Sequence, residues 1–359
     1  MSPGSAVFVR AQDRDELARI FTEHNARRNS ISGGVFEAHA EPLLAGPPGC
    51  RWDIILTNIP AKAGRPVLED FIRRSASLLK KDGRVFLVAV NTLADFFRSR
   101  IAAASAPLLL EESGREHSVF VFGHSEAGTQ SGARSDPPHE NGPLIFDESF
   151  PKAYPFYIRN SNRYEIEGIP YRLDTIHGAA DFDNPGGGIQ AAAKLFVKLG
   201  LAAKLAEAAK TQDAALLIHD AGQGHFALWL AHYLDAAGRS VADTSVADFR
   251  WVLSGRNVVA LASARSALNA AFPGIKAALL PATGIFPDRG FALTAFFHAS
   301  PFLREMGFSA LPGSIVIAGM TSAEAERFDR KKPEGLHRLG DIKRKGFRAM
   351  AYQVRQALS

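Results

Sequence analysis

Two runs of the sequence, residues 52–60 (Trp-Asp-Ile-Ile-Leu-Thr-Asn-Ile-Pro) and residues 85–90 (Val-Phe-Leu-Val-Ala-Val), decide the fold. The first run predicts a short buried strand that stops at an Asn-Ile-Pro elbow. A helical pattern follows over residues 67–79, and a Lys-Lys-Asp-Gly turn over 80–83 leads into the second strand. Strand, helix and parallel strand form a right-handed crossover unit. Ligands of such sheets bind at the carboxyl ends of the strands, where Asn58 stands.

The elbow Asn58-Ile59-Pro60 suits group transfer to an amino nitrogen. The Asn58 side chain and the Ile59 carbonyl can accept hydrogen bonds from an exocyclic amine, and Pro60 stiffens the turn. Positioning is most of the catalysis in such a transfer. The stretch resembles motif IV (Asn/Asp-Pro-Pro-aromatic) of class I S-adenosylmethionine (SAM) methyltransferases that act on amino groups, with Ile59 and Ala61 replacing the first Pro and the aromatic. The alternative is an ordinary strand-to-helix turn with an asparagine cap.

Composition bounds the class of protein. A chain of 359 residues predicts about two domains, and 46% hydrophobic with 22% charged residues is ordinary for globular proteins. A net charge of +5 permits a polyanionic partner without demanding one. The single Cys50 excludes an internal disulfide and a cysteine-cluster metal site, so no metal is expected. We find neither a signal-peptide pattern nor an apolar run near the ~20 residues that span a bilayer, which predicts a cytoplasmic protein without a membrane partner.

The first forty residues read as a strand, a helix and a strand. Residues 5–11 form the first strand, a helix covers residues 15–28, and Val35 to His39 could form the next strand. Asp13 follows the first strand, where nucleotide-binding sheets place an acid for the ribose hydroxyls, although a helix-capping acid is the alternative. A methyltransferase sheet begins one strand earlier, with a glycine loop. The first domain is therefore expected to lack its initial strand and glycine loop, because the sequence is a fragment, its start is misassigned, or the loop has been lost.

The remaining sequence divides into three regions. A helix over 92–103 and strands over 107–111 and 118–123 complete a first domain, residues 1–123. Small polar residues rich in Pro and Gly predict a linker over 124–143. The second domain, residues 144–359, opens with a β-rich lead-in over 144–176 that suggests a hairpin.

A second glycine-rich junction lies in the C-terminal half. The buried strand Ala215–Asp220 ends in an acid, and Gly222 and Gly224 follow before a helix. Glycines let the backbone approach a ligand, and the helix N-terminus favours a carboxylate. The run resembles motif I (Asp/Glu-x-Gly-x-Gly-x-Gly) of SAM methyltransferases, and Asp243, after a strand expected at 240–243, resembles the ribose acid. The alternative is a strand-to-helix turn that needs glycines for packing.

The segment before this loop also carries a resemblance. Gly178, Asp183 and the run Gly186–Gly188 are similar to the stretch that closes over the cofactor in ribosomal RNA guanine-N2 methyltransferases. After the loop we expect a helix over 246–255, with strands at 258–262, 291–297 and 314–318. This order repeats that of the first half and indicates an internal duplication. At the position of the elbow the second half has Phe296-Phe-His-Ala-Ser-Pro, in which His298 is more often structural than catalytic.

The densest positive charge lies within residues 320–348. Phosphate contacts together with stacking on the interleaved Phe328 and Phe347 would suit RNA, and a solvated basic surface is the alternative. The predicted RNA-binding residues are Arg327, Arg330, Lys331, Lys332, Lys343, Arg344 and Lys345.

Taken together, the chain resembles the tandem-domain ribosomal RNA guanine-N2 methyltransferases. The resemblance implies an α/β fold of two tandem doubly wound, Rossmann-like methyltransferase domains, with SAM as cofactor and the exocyclic amine of a guanine in ribosomal RNA as substrate. It implies direct in-line transfer to a flipped or unpaired base, without a covalent enzyme intermediate. The alternatives are a catalytically inactive, methyltransferase-like RNA-binding protein and a methyltransferase for a small molecule or a protein.

Overall fold

The structure, a computed structural model, describes residues 7–31, 33–45, 49–125, 150, 154–180, 182–211, 214–241, 245–283, 291–297, 312–332 and 334–355. Its contacts divide the chain into two compact units. One contains Met1–Ala40 together with Asn160–Ser359, and the other is Glu41–Arg159. Among the described residues, no helix combines the length and apolar character needed to cross a membrane.

The N-terminal segment groups with the C-terminal half of the chain. It forms β1 (Val9–Asp13), α1 (Glu16–Arg28) and β2 (Phe36–Ala40), and β1 pairs in parallel with β2. The Glu16 amide donates to the Arg256 carbonyl at 2.9 Å, and the Val258 amide donates to the Arg14 carbonyl at 3.0 Å. These bonds join the N-terminal segment to the larger unit, and the predicted domain boundaries at residues 123 and 144 stay predictions. The predicted linker lies almost wholly outside the described residues.

The unit Glu41–Arg159 is built on a four-stranded mixed sheet. Its elements are β3 (Trp52–Asn58), α2 (Arg65–Leu78), β4 (Leu79–Val90), α3 (Ala94–Ala103), β5 (Leu108–Ser113) and β6 (His117–Gly123). The strand order is β3-β4-β6-β5. β3 and β4 are parallel, which confirms the predicted crossover through α2, whereas β6 is antiparallel to both of its neighbours. Phe71, Ile72 and Phe120 lie in the core of this unit.

The turn predicted at residues 80–83 is wrong, because these residues form the first half of β4. Leu79 already pairs with Trp52, and the register between the strands shifts before Ile54. A Cβ atom at Gly83 would lie 2.7 Å from the Trp52 carbonyl oxygen. Gly83 therefore permits a close approach of two strands, and its place in the sequence does not mark a turn.

The predicted hairpin is confirmed at the start of the C-terminal half. It consists of β7 (Ile158–Ile166) and β8 (Ile169–Ile176), which form a two-stranded sheet. Glu167 and Gly168 connect the strands, with φ angles of 47° and 77°. Two left-handed residues in a two-residue connection are typical of a type I′ turn, whose twist matches that of the strands. α4 (Gly187–Lys198) and α5 (Leu201–Thr211) follow.

A seven-stranded sheet forms the centre of the larger unit. Its elements are β9 (Ala215–His219), α6 (His225–Val241), β10 (Arg250–Gly255), α7 (Val258–Ala271), β11 (Ala278–Pro281), β12 (Leu293–Phe296), β13 (Ile315–Thr321), α8 (Ser322–Lys331), β14 (Leu336–Arg344) and β15 (Phe347–Val354). The strand order is β11-β10-β9-β12-β13-β15-β14. The first five strands in this order are parallel, and β15 is antiparallel to β13 and β14.

The strand order reverses at β9, and the carboxyl edge between β9 and β12 is called the crevice. From β9 the chain proceeds outward to β10 and β11, and it then returns to the other side of β9 as β12. Such a reversal is where open α/β sheets bind ligands. The structure thus confirms an α/β fold with mixed sheets, whereas the tandem doubly wound arrangement stays a prediction.

Three elements predicted after α6 are wrong. Residues 240–241 belong to α6 and not to a strand, residues 250–255 form β10 and not a helix, and residues 258–262 begin α7. α7 is started by Asn257, whose side-chain oxygen accepts a hydrogen bond from the Ala260 amide at 3.2 Å. This N-cap satisfies an amide that the first turn of a helix leaves unpaired.

Glycines bring α4 close to the sheet. A Cβ atom at Gly188 would lie 2.6 Å from the Gly319 carbonyl oxygen of β13, and a Cβ at Gly187 would collide with the ring of Phe347. Two of the three glycines that were expected to close over a cofactor therefore serve helix-to-sheet packing. Their φ angles are not left-handed, so space and not backbone strain requires them.

Candidate ligand site at the carboxyl edge of the seven-stranded sheet

The loop between β9 and α6 follows a path that side chains rarely tolerate. Asp220, Gly222 and Gly224 have φ angles of 52°, 55° and 104°. A Cβ atom at Gly224 would lie 2.9 Å from the Cα of Ala264 in α7. Gly224 is thus required both by its backbone conformation and by its packing against α7. Gly222 also has a left-handed backbone, but it is partly exposed to solvent. The structure brings together three of the predicted cofactor residues, Asp220, Gly222 and Gly224, at the crevice.

Gln223 ties this loop to the segment that follows β8. Its side chain is fully buried. The amide oxygen accepts a hydrogen bond from the Ile176 amide at 2.9 Å, and Nε2 donates to the Phe182 carbonyl at 2.5 Å. Gln223 is not among the site residues predicted from the sequence, although its place between two glycines is a signal that could have indicated it.

The carboxyl end of β10 differs from the prediction. Ser254 is buried, its hydroxyl lies 2.9 Å from Nδ1 of His219, and Gly255 and Arg256 follow. The acid expected after the second strand, Asp243, lies outside the described residues. The strand expected to carry it at 240–243 is wrong, since α6 runs to Val241. Residues 254–257 of the end of β10 include no acid.

A carboxylate from the N-terminal segment reaches this end of β10. Nε of Arg256 donates to Oδ1 of Asp15 at 2.9 Å. Burial alone would raise the pKa of Asp15, but hydrogen bonds from Arg256 and from the Leu17 amide outweigh it and lower the pKa below its ordinary value. Asp15 is also the N-cap of α1.

Asp13 lies beside this pair as a turn-forming acid. Its Oδ1 accepts a hydrogen bond from the Asp15 amide at 2.8 Å. The helix-capping alternative for Asp13 is wrong, because Asp15 is the N-cap of α1, and a ribose-binding role for Asp13 stays a prediction.

A buried histidine stands directly after the loop. Nδ1 of His225 lies 3.0 Å from the Tyr171 hydroxyl, and the ring of Tyr164 meets the imidazole edge-on at 4.8 Å. Burial lowers the pKa of His225 from 6.5 to about 4. Its Nε2 is buried without a hydrogen-bond partner among the described residues. The neutral imidazole therefore packs the start of α6 against β8.

This burial predicts a pH-dependent stability. The unfolded chain takes up a proton on His225 near pH 6.5, and the folded chain does so only near about pH 4. The contribution of neutral His225 to the free energy of unfolding is thus complete above about pH 6.5. It falls toward about pH 4 and is reduced by about 2 kcal/mol at about pH 5. We expect urea unfolding to show this loss in the parent chain and to show it reduced in His225→Gln, which keeps a polar side chain but cannot titrate. An equal loss in both would contradict the assignment.

The elbow Asn58-Ile59-Pro60 lies at the end of β3 in the unit Glu41–Arg159. Asn58 is exposed, and among the described residues its side chain has no hydrogen-bond partner. Ile59 is 4% exposed and anchors the elbow in the core. The Pro60 carbonyl accepts from the Ala63 amide at 2.9 Å and starts a short 3-10 turn. The stiff elbow expected from the sequence is present, and its catalytic role stays a prediction.

The structure separates the predicted RNA-binding residues into two groups. Thr321, at the carboxyl end of β13, pairs with Phe347, and the Ser322 amide donates to the Gly346 carbonyl at 2.9 Å. The turn between β14 and β15 therefore lies at the carboxyl edge of the sheet, whereas α8 runs back toward the opposite edge. The turn group, at the ligand edge, contains Lys343, Arg344 and Lys345. The helix group, on α8 and at its end, contains Arg327, Arg330, Lys331 and Lys332.

Each group contains one cation with an ion-pair partner and other cations that are exposed. Arg344 lies 3.6 Å from Glu167, and Lys332 lies 3.7 Å from Asp329. Lys343 and Lys345 are exposed. The stacking role expected for Phe328 is wrong, because its side chain is 6% exposed and contacts the ring of Tyr352 in the core.

The fold is shared with a known methyltransferase. The T. thermophilus 16S rRNA N2 G1207 methyltransferase (RsmC), solved in complex with AdoMet and guanosine, matches 99% of this chain with 90% of its own, at 15% identity and a TM-score of 0.58. TrmN from Thermus thermophilus matches 44% of this chain with 48% of its own, at 18% identity and a TM-score of 0.30.

A ribosomal protein L11 methylase from Lactobacillus delbrueckii subsp. bulgaricus matches 33% of this chain with 58% of its own, at 22% identity and a TM-score of 0.29. Neither a protein-family model nor a curated protein sequence matches the chain. The likeness to RsmC confirms, at the level of the fold, the family resemblance drawn from the sequence.

The residues of the crevice can be compared with the chemistry of SAM. The amino-acid end of SAM carries an ammonium and a carboxylate, and the loop offers the Asp220 carboxylate, the partly exposed Gly222 and the start of α6. These features fit that end of the cofactor. For the ribose hydroxyls, the carboxylate that reaches β10 is that of Asp15, which Arg256 already binds. Among the described residues, no group of three or more His, Cys, Asp or Glu side chains could hold a metal ion.

Proposed function

We propose that this protein is a SAM-dependent methyltransferase that acts on the exocyclic amine of a guanine in ribosomal RNA. The observation that carries the proposal is the loop of residues 220–224, whose left-handed backbone lies at the reversal of strand order. It is supported by the fold shared over 99% of the chain with a 16S rRNA N2 G1207 methyltransferase. A ribosomal RNA substrate implies a cytoplasmic protein.

In this proposal the C-terminal half holds the cofactor. The Asp220 carboxylate binds the ammonium of SAM. Gly222 has no side chain, so SAM can lie directly against the backbone of the loop. The N-terminus of α6 favours its carboxylate. When bound, SAM supplies an electrophilic methyl group on a sulfonium.

A separate part of the proposal concerns the elbow of the unit Glu41–Arg159, which can bind an exocyclic amine. The Asn58 oxygen and the Ile59 carbonyl accept the two hydrogens of the guanine amine, which fixes the nitrogen lone pair in one direction. Pro60 restricts the backbone of the elbow, so that little conformational freedom is lost when the base binds. A base within a duplex would have to be flipped out to reach the elbow.

The position of the turn group leads to a prediction about RNA binding. Exposed Lys343 and Lys345 lie at the carboxyl edge of the sheet, and phosphates would meet them there. We expect the double variant Lys343→Ala/Lys345→Ala to weaken RNA binding and to lower the salt slope of log K by about 0.7 for each lost phosphate contact. Fluorescence anisotropy at several salt concentrations measures both. The matched control Arg330→Ala/Lys331→Ala, in the helix group, should change neither, and equal effects of the two pairs would contradict the assignment.

Calorimetric titration with SAM tests the cofactor part of the proposal. We expect binding by the parent chain and a loss of affinity of at least about tenfold in Asp220→Ala, because a carboxylate that pairs with an ammonium is removed. Failure of the parent chain to bind SAM would exclude the proposed enzyme.

One observation favours a second candidate, a catalytically inactive RNA-binding protein of methyltransferase fold. The end of β10 presents Arg256, which is hydrogen-bonded to Asp15, in the region where a ribose acid was expected. A protein of this kind would bind RNA in a salt-dependent manner and would not bind SAM. The same titration therefore separates the two candidates.

A further inference from the structure

Phe182 is a large aromatic side chain left exposed beside the glycine loop. Its side chain is 56% exposed, and its φ angle of 50° lies in the left-handed region, where bulky residues are rare. We propose that Phe182 is a stacking platform for a purine ring, either the adenine of the cofactor or the guanine of the substrate. This inference deepens the proposed function and rests on it.

Two buried side chains bind the backbone of Phe182 and the side chain of the next residue. Nε2 of Gln223 donates to the Phe182 carbonyl at 2.5 Å, and the Thr175 hydroxyl donates to the carboxylate of Asp183 at 2.8 Å. Gln223 and Thr175 are both fully buried. The left-handed residue is thus fixed by groups that solvent does not reach, which is how strained conformations persist at binding sites.

The hydrogen bond from Gln223 determines where Phe182 lies. That glutamine stands between Gly222 and Gly224, so its hydrogen bond places the Phe182 backbone directly against the loop. A phenyl ring offers a planar apolar face and no hydrogen bond, which suits the flat face of a base and tolerates either purine.

Two other positions that could have supplied the stacking ring do not. Position 61, after the elbow, is alanine, and Phe328 is buried in the core with 6% exposure. Phe182, in contrast, is exposed beside the loop of residues 220–224.

The test compares Phe182→Ala with a matched control. Phe21, on α1, is 57% exposed, so Phe21→Ala removes an equally exposed ring away from the loop. S-adenosylhomocysteine binding is measured by calorimetry, and binding of a guanine-containing single-stranded RNA by anisotropy. We expect Phe182→Ala to lower the affinity for one of the two ligands by roughly 5- to 100-fold. Phe21→Ala should leave both affinities within about twofold of the parent.

The ligand that is affected identifies the base. A loss confined to S-adenosylhomocysteine assigns the adenine, and a loss confined to RNA assigns the guanine. Unchanged binding of both ligands by Phe182→Ala overturns the inference while leaving the proposed methyltransferase intact.

A second variant keeps the inference testable if the alanine variant fails to fold. Phe182→Trp retains a stacking ring and should show quenched tryptophan emission when the purine ligand binds. Quenching by RNA in a protein that does not bind S-adenosylhomocysteine supports the stacking site and refutes the methyltransferase. Absence of quenching by either ligand refutes the stacking site.

Discussion

Methyl transfer should be lost when Asn58 is replaced by alanine, while RNA binding stays within about twofold of the parent. The side-chain oxygen of Asn58 is exposed at the end of β3, and in the proposed function it accepts a hydrogen of the guanine amine. Without it the elbow loses one of the two acceptors that hold the amine. Removing one positioned hydrogen-bonding group from an active site typically lowers kcat by about 10²- to 10³-fold. Initial rates with labelled SAM and ribosomal RNA measure the effect.

Two further variants isolate the role of the Asn58 oxygen. Asn58→Asp retains an acceptor and should keep more activity than Asn58→Ala. Asn162→Ala removes another exposed asparagine, on β7, and should retain the parent rate. Activity of Asn58→Ala within twofold of the parent would show that the elbow is only a strand-to-helix turn.

Replacing Gly224 with alanine should abolish SAM binding and destabilise the larger unit. A Cβ atom at this position would lie 2.9 Å from the Cα of Ala264, and the φ angle of 104° is unfavourable for any side chain. Backbone strain and overpacking together should lower the free energy of unfolding by about 2–5 kcal/mol. The displaced loop should lose at least about 100-fold in SAM affinity, which calorimetry and urea unfolding can measure.

Gly168 provides the matched control for Gly224→Ala. It also has a left-handed φ angle, 77°, but a Cβ there would meet nothing within 4 Å. Gly168→Ala should therefore show the conformational cost alone, about 1–2 kcal/mol, with SAM affinity unchanged. Equal destabilisation by the two substitutions would mean that contact with α7 is not what requires Gly224.

The crossover unit and the β-hairpin could be predicted because their local signals agree with the fold. A short apolar strand, an elbow with Pro60 and an amphipathic helix specify β3, α2 and the second half of β4. The predicted burial of β3 is wrong, because Ile54 and Leu56 are 57% and 73% exposed.

The prediction for residues 246–262 is wrong for a definite reason. Trp251 to Leu253 form a short apolar run, which periodicity alone cannot assign to a strand or a helix. Val258 and Val259 are β-branched and favour a strand, but capping by Asn257 and burial against the sheet prevail.

The sequence predicts which residue types form the candidate site. It does not predict the distant residues that hold them in place. The acid and glycines of residues 220–224 are visible at a strand-to-helix junction. The partners of Gln223, at Ile176 and Phe182, lie 47 and 41 residues away in sequence, and no local pattern reveals them. The pair of Asp15 and Arg256 spans 241 residues. Such contacts depend on how the N-terminal segment packs on the sheet, which is a property of the fold.

Mass spectrometry of RNA nucleosides tests the central claim most directly. Ribosomal RNA is incubated with SAM and either the parent chain or Asn58→Ala, digested to nucleosides, and analysed for methylated guanosine. The account predicts N2-methylguanosine with the parent chain and little or none with the variant. RNA that stays unmethylated by a parent chain that binds both SAM and RNA would contradict it.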